Sequence, residues 1–428
     1  MATDEKIEWV REGDWWPEDE DSELRARLAE TGALSAQGFE RFHLRFVGVI
    51  AFRNRTLVSL PKIKTDLPAD QAHRHVMRAM RHYEKWQPTH HTSSPYLNED
   101  PTRGSVSGLA ATDWLIKDFA EHGLFRRSEA SYELNGSGHT NWRRTIEQVS
   151  PVFSQSRPIY LNTVTRRSER DNQNFATRLH LLLLEKLSNR FAAVLDLEPI
   201  KLDHEPIERL AALPSAEECE TRLMSEQRQT YSQRGIELLS MMRAVVAALE
   251  IENATGLSLY GTSYFHHVWE AACATAFGNE VAHWLPHLPS PLWTSTDGVA
   301  TIAPTFIPDL VAPLTSHELL IGDAKYYRAS LSPKLIGVPG VNDVAKQIWY
   351  KQGLLEEARK RGYHQVQNAF LFPTSGHKLK LLGRVELPAG GEKVDAVAVP
   401  FLQTLAAYSG DAPRNPEVRR EEIKTAIG

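Results

Sequence analysis

The chain has 428 residues, 42% hydrophobic and 24% charged, an ordinary composition that excludes a disordered or fibrous chain and leaves room for two or three cores. Its formal net charge of -5 excludes coating of nucleic acid by bulk electrostatics, while a local basic groove stays compatible with acidic faces elsewhere. No apolar run reaches bilayer-crossing length, and the start Met1-Ala2-Thr3-Asp4-Glu5-Lys6 is too acidic and hydrophilic for a signal peptide. A cytoplasmic protein with no membrane association is therefore expected. Cys219 and Cys273 are too few for a disulfide framework and are expected as free thiols.

Residues 1–40 are acid-rich and carry Trp9, Trp15 and Trp16 before a short helix. Residues 46–61 read as two β-rich runs turning near Arg53-Asn54-Arg55, a hairpin, followed by a helix over 69–86 and a loop over 88–104. His73, His75, His82, His90 and His91 lack a recognisable ligand spacing, so surface histidines are favoured over a metal tract. Basic residues cluster at Arg53, Arg55, Lys62 and Lys64, and again at Arg74, Arg78, Arg81 and Lys85 with helical spacing. The first reading of each cluster is a solvated face. A helix over 106–122, stopped by Gly123, leads into the basic pair Arg126-Arg127, a strand-like run to Leu134 and a turn at 135–138. That is the outline of a winged-helix module, able to bind DNA or a protein. From 174 to 248 the pattern is helical, broken over 199–214.

The stretch TFIPDLVAPLTSHELLIGDAKYY, residues 305–327, concentrates the chemistry. One apolar run ends in Pro308-Asp309, and after a polar link a second ends in Asp323-Ala324-Lys325. Strand alternation puts Asp323 and Lys325 on one face. If the runs pair as a hairpin, Asp309 near the end of the first meets them, giving two carboxylates and one ammonium in a small volume. A divalent cation neutralises close carboxylates, and Mg²⁺ leaves room for waters and a phosphate oxygen. A bare D-x-K reads first as a buried salt bridge at a strand end, so its surroundings matter. Upstream, residues 263–279 form a helical pattern containing Glu270 and closed by Gly278. Downstream come an amphipathic helix over 341–360 with Lys346, Gln347, Tyr350 and Lys351, a strand over 366–372, closing strands over 379–387 and 394–400, a short helix over 401–408 and a polar tail.

The order helix with glutamate, strand, strand with D-x-K, helix, strand resembles the core of the PD-(D/E)xK nuclease superfamily over residues 263–372. The runs GTSYFHHVWEAACATAFGN (261–279), IPDLV, GDAKYY and VPGVNDVAKQIWYKQ (338–352) resemble restriction endonucleases of the LlaJI type, the nuclease partners in McrBC-like systems. The resemblance implies an α/β (α+β) fold with a PD-(D/E)xK restriction-endonuclease-like C-terminal domain. It implies Asp309, Asp323, Glu270 and the Ala324 carbonyl as ligands for Mg²⁺, with Mn²⁺ able to substitute. It further implies Lys325 as the catalytic lysine and Gln347 as a polar residue reaching the site from the following helix. Nucleases of the RecB kind carry a glutamine and a tyrosine four apart on this helix, whereas Gln347 and Tyr350 are three apart, which makes Tyr350 the weaker candidate.

The expected organisation is an N-terminal mixed α/β module over 1–165, a helical connector over 166–255, a nuclease domain over 256–410 and a polar tail over 411–428. No phosphate-binding lysine loop, zinc spacing or G-x-S-x-G elbow occurs in the sequence, so nucleotide hydrolysis would come from another chain. The expected partners are double-stranded DNA, a McrB-like AAA+ GTPase, and a second copy as a homodimer or paired complex. The expected function is Mg²⁺-dependent DNA cleavage in a restriction or antiphage system. The alternatives are a non-catalytic scaffold linking DNA to a motor and a repair nuclease of the same superfamily.

Overall fold

The computed structural model describes residues 7–17, 21–37, 41–53, 55–86, 108–155, 157–198, 200, 202, 207–254, 257–302, 307–387 and 391–428. The chain forms two compact units. One comprises residues 1–104, 194–196 and 257–428, and the other residues 105–193 and 197–256. Both are mixed α/β.

In the first unit, the hairpin expected over 46–61 is present as strands Val47–Phe52 and Arg55–Leu60. Ile7–Arg11 adds in parallel on one side, and Leu257–Thr262 adds antiparallel on the other. The last pairing was not expected, and it puts the start of the anticipated nuclease domain into the N-terminal sheet. The boundary expected at 255 falls one residue from the end of the second unit at 256, whereas the boundary expected at 165 lies inside that unit. A glycine pair makes the join possible. Gly48 and Gly261 face each other in the register, and a Cβ on Gly261 would lie 2.1 Å from the Val47 carbonyl oxygen. Gly48 also sits at φ +140°, a conformation that L side chains rarely adopt.

The second sheet of this unit has five strands in the order Leu310–Pro313, Glu318–Ala324, Gln365–Thr374, Lys393–Pro400, Lys380–Glu386. The middle three run parallel, with the first and last antiparallel to their neighbours. The parallel strands are covered on both faces, so they read as continuous apolar runs such as Leu319-Leu320-Ile321. Helix Val341–Lys360 connects two of them and has the expected bounds. Its inward stripe begins with Asp343 and Gln347 and ends with Tyr350 and Leu354, a spacing of four, three and four that keeps all four on one face. Tyr350 and Leu354 pack with Leu319, Ile321, Val311 and Trp284. Helix Phe265–Phe277 is fixed by fully buried Trp269, whose indole donates to Leu371 O at 3.3 Å.

Residues expected as a polar tail contain helix Pro416–Ile427, capped by Asn415 and with Ile423 fully buried. His73, expected at the surface, is buried, with Nε2 2.5 Å from Val194 O. His90 and His91 lie outside the described residues.

The second unit contains helix Gly108–His122, ended at Gly123 in the left-handed conformation as expected. Strand Arg127–Leu134 departs from the winged-helix outline, since it pairs with Val164–Asp171. Short strand His139–Thr140 lies on the opposite edge of Val164–Asp171, so the turn at 135–138 does not join direct hairpin partners. Helices Phe175–Phe191, Ala216–Arg228 and Gln233–Ala254 complete the unit. Cys219 and Cys273 are buried free thiols. Among the described residues, no helix is long and apolar enough to cross a membrane.

Candidate functional site

The hairpin of the 305–327 stretch forms as Leu310–Pro313 against Glu318–Ala324, with one change from expectation. Asp309 stands immediately before its strand rather than at the end of one. Thr305 and Phe306 lie outside the described residues. Because Leu310 pairs with Gly322, the next position along brings Asp309 opposite Asp323. Alternation puts Asp323 on the same strand face as Leu319 and Ile321, under helix Val341–Lys360.

Backbone contacts hold this arrangement. Asp309 Oδ2 accepts from Ala324 N at 2.8 Å, and Lys325 N donates to Leu371 O at 2.9 Å, extending the parallel ladder one residue beyond the strand. Asn279 donates through Nδ2 to Asp309 O at 2.9 Å, while its Oδ1 accepts from Val311 N at 2.9 Å. Asn279 directly follows the left-handed Gly278 that caps helix Phe265–Phe277. The helix bearing Glu270 is thus clipped to the segment bearing Asp309.

Lys325 Nζ lies 2.7 Å from Asp323 Oδ2 and 3.0 Å from Asp343 Oδ1. Burial opposes its charge, but Asp323 and Asp343 outweigh burial and hold the ammonium above the ordinary lysine range. Lys325 is therefore a fixed positive charge at neutral pH and not a proton acceptor. Asp309 is pushed up to about 7, by burial first and then by Asp323 and Glu270, with the Ala324 N–H and Lys325 acting in the other direction. Burial also raises Asp323 despite Lys325, and Asp343 and Glu270 add to the rise. Four carboxylates, Asp309, Asp323, Asp343 and Glu270, therefore act on one another at one end of the sheet with their repulsion only partly offset. Carboxylate oxygens are the donor type a hard divalent cation takes, while among the described residues the trio of possible ligand atoms within 4.8 Å of one another is that of His266, His267 and Glu270.

Glu270 is half-buried, and its Oε2 lies 3.0 Å from His267 Nδ1. His266, His267 and Glu270 bring possible ligand atoms within 4.8 Å of one another. Burial, followed by the effect of His267, depresses His266 to about 4, whereas the bond to Glu270 raises His267. Ala324 touches Asp309 through its N–H. Gln347 is fully buried and donates through Nε2 to Ile321 O at 3.1 Å and Ala369 O at 3.4 Å. Its amide straps two adjacent strands and makes no hydrogen bond to Asp309, Asp323 or Glu270. Tyr350 donates to Ile307 O at 3.2 Å, and burial first, then Asp323 and Asp309, push its hydroxyl up to about 12. Tyr350 is accordingly nearer the carboxylates than its spacing from Gln347 suggested.

Sequence reasoning missed Asp343 and the histidine pair. Asp343 was findable as the first member of the 343, 347, 350, 354 stripe and as an acidic residue in a helix's first turn, where the dipole favours it. The i,i+3 spacing of His267 and Glu270 on a helix was a similar signal.

A family model described as LlaJI restriction endonuclease matches residues 46–404. The Type II restriction enzyme BsuMI component YdjA of Bacillus subtilis (strain 168) is 28% identical over 373 residues, covering 84% of this chain and 79% of the relative. The refined half-complex from a tetradecameric assembly of Thermococcus gammatolerans McrB AAA+ hexamers with bound McrC is similar at 12% identity and a TM-score of 0.43, covering 99% of this chain and 100% of that one. The Thermococcus gammatolerans McrBC complex solved by cryo-EM is similar at 12% identity and a TM-score of 0.25, covering 62% and 85%.

Proposed function

The chain belongs to the LlaJI restriction endonuclease family, and from that premise we propose that it is a Mg²⁺-dependent endonuclease of restriction or antiphage defence, hydrolysing phosphodiester bonds in double-stranded DNA. The carrying observation is the meeting of Asp309, Asp323 and Lys325 at one end of the five-stranded sheet, where Lys325 Nζ lies 2.7 Å from Asp323 Oδ2 and Asp309 Oδ2 accepts from Ala324 N at 2.8 Å. In this reading the C-terminal sheet and its flanking helices are a PD-(D/E)xK core.

Asp309, Asp323 and Glu270 hold the cation, with the Ala324 carbonyl as a further ligand and Mn²⁺ able to substitute. When bound, the cation acidifies water and supplies charge beside a phosphate oxygen. Lys325 orients the attacking water through its N–H donors and offsets charge on the pentacovalent phosphorus. Asp343 keeps that ammonium in place, and Gln347 serves by bracing the strands beneath the carboxylates. In-line displacement leaves a 5′-phosphate and a 3′-hydroxyl.

An AAA+ GTPase serves as the motor, since this sequence carries no phosphate-binding lysine loop. Cutting both strands takes two sites, so two copies or paired complexes act together in the cytoplasm. The test is cleavage of plasmid DNA by the chain with Mg²⁺ and its AAA+ partner. Asp323→Ala and Lys325→Ala are expected to abolish cutting, and full cleavage by both variants would remove the proposal.

A further inference from the structure

The first turns of helix Phe265–Phe277 carry a concentration of ligand-bearing side chains that the carboxylate chemistry does not use. His266 and Glu270 are four residues apart on this helix and His267 and Glu270 three apart, so the three share one side of it. The ring centroids of His266 and His267 are 4.0 Å apart, and His267 Nδ1 lies 3.0 Å from Glu270 Oε2. One possible donor atom from each residue falls within 4.8 Å of the other two. All three residues are half-buried, held by the helix yet open to solvent. A surface pair of His267 with Glu270 needs no ion, but it leaves His266 unexplained. Among the described residues, His266 makes no side-chain hydrogen bond or ion pair, so its ring nitrogens are open to a ligand.

Two contacts seat the trio beside the D-x-K segment. Trp269, the neighbour of Glu270, donates its indole N–H to Leu371 O at 3.3 Å, and Lys325 N donates to the same oxygen at 2.9 Å. Phe265, the neighbour of His266, has its ring centroid 5.4 Å from that of Tyr326. Donor chemistry nevertheless separates the trio from the aspartates. Mg²⁺ takes oxygen ligands and keeps several waters, whereas imidazole suits borderline ions such as Zn²⁺. Two imidazoles and one carboxylate, with a water in the remaining position, are a donor set that holds zinc. Zinc–ligand bonds of roughly 2.0–2.1 Å put donors about 3.4 Å apart in a tetrahedron. Side-chain rotation that moves each donor by about 1 Å therefore closes the trio on an ion with the helix in place.

We propose that His266, His267 and Glu270 form a site for a borderline transition ion such as Zn²⁺, distinct in donor chemistry from the Mg²⁺ carboxylates. Glu270 serves one ion at a time, so zinc on the histidines withdraws it from Asp309 and Asp323 and slows cutting. That consequence rests on the nuclease reading, while the site itself does not.

The experiment titrates the full chain with Zn²⁺ against a chromophoric chelator in excess Mg²⁺. Zn²⁺ should bind despite the Mg²⁺, and His266→Asn and His267→Asn should each weaken it by at least about tenfold. His317→Asn alters a stacked histidine pair elsewhere, with His364, and should leave the affinity unchanged. A second measurement needs no variant. In the wild-type chain Zn²⁺ should protect His266 and His267 from diethyl pyrocarbonate, as read by peptide mass spectrometry, and Mg²⁺ should not. Unchanged affinity in either folded variant, or equal labelling with and without Zn²⁺, overturns the site. In plasmid cutting with Mg²⁺ and the AAA+ partner, Zn²⁺ should slow the wild-type chain more than His266→Asn, each relative to its own rate without Zn²⁺. Equal slowing overturns the sharing of Glu270, whereas the nuclease reading fails separately, when cutting survives Lys325→Ala.

Discussion

The sheet end bearing Asp309 and the segment of residues 142–161 break opposite rules of side-chain placement. The first hides charge, with Asp309, Asp323, Lys325 and Asp343 gathered where sheet and helices enclose them. The second exposes apolar surface. Trp142, Phe153 and Leu161 are 58%, 69% and 74% exposed, and every residue of the Val152–Ser154 and Arg157–Ile159 hairpin is exposed. Folding stability is opposed by the buried carboxylates and indifferent to the exposed rings, so neither departure is explained by the fold that carries it. The contrast separates residues retained for what they do from residues retained for what they hold together.

The largest test of that separation is catalytic. Asp323→Asn and Lys325→Ala should each lower the cleavage rate by at least ~10²–10³-fold without loss of the thermal transition, as read by plasmid nicking and calorimetry. Next comes the scaffold under the site. Trp269→Ala empties a fully buried position and removes the bond to Leu371 O, so it should cost about 3–5 kcal/mol in chemical denaturation.

Asp309 supplies a pH signature between these extremes. Its folded pKa of about 7 stands above the ordinary 3.8, so the folded chain binds a proton that the unfolded chain releases. Stability of the metal-free protein should be full below about 4 and fall as pH rises towards about 7. Calorimetry from pH 4.5 to 8 should show this decline, Asp309→Asn should flatten it, and Mg²⁺ should reverse it at the alkaline end. The smallest effect is expected at the exposed ring, where Phe153→Ser should move stability by less than ~0.5 kcal/mol. A large loss there would assign Phe153 to structure and collapse the contrast.

Legibility in the sequence followed locality. Helix Val341–Lys360 and the strands Gln365–Thr374, Lys380–Glu386 and Lys393–Pro400 were readable because their apolar periodicity and flanking glycines or turns lie within the elements. Asp323 and Lys325 were placed on one face by alternation alone, and they touch. Asp309 was readable as a neighbour of that pair but not as the residue preceding its strand. Pro308 interrupts two apolar runs, and nothing local says which of them pairs. Gln347 had a resemblance behind it, yet a buried amide bonding two strand carbonyls looks identical in sequence to one that reaches a ligand. Asp343 was legible as a member of the inward stripe of helix Val341–Lys360, but its bond to Lys325 joins two elements and was not. The C-terminal helix was the avoidable error, for Asn415-Pro416 is a cap followed by proline in the first turn, and Ile423 and Ile427 are four apart.

Strand Leu257–Thr262, seated against Val47–Phe52 through facing glycines, has a consequence for biosynthesis. During translation the N-terminal sheet emerges one member short and stays so while the ribosome makes everything from residue 61 to residue 256. Throughout that interval Val47–Phe52 carries an unfilled edge, the kind of nascent surface that recruits stray chains. A bulkier residue at position 261 would prolong this exposure indefinitely, so its damage would appear first as lost yield of protein in the cell.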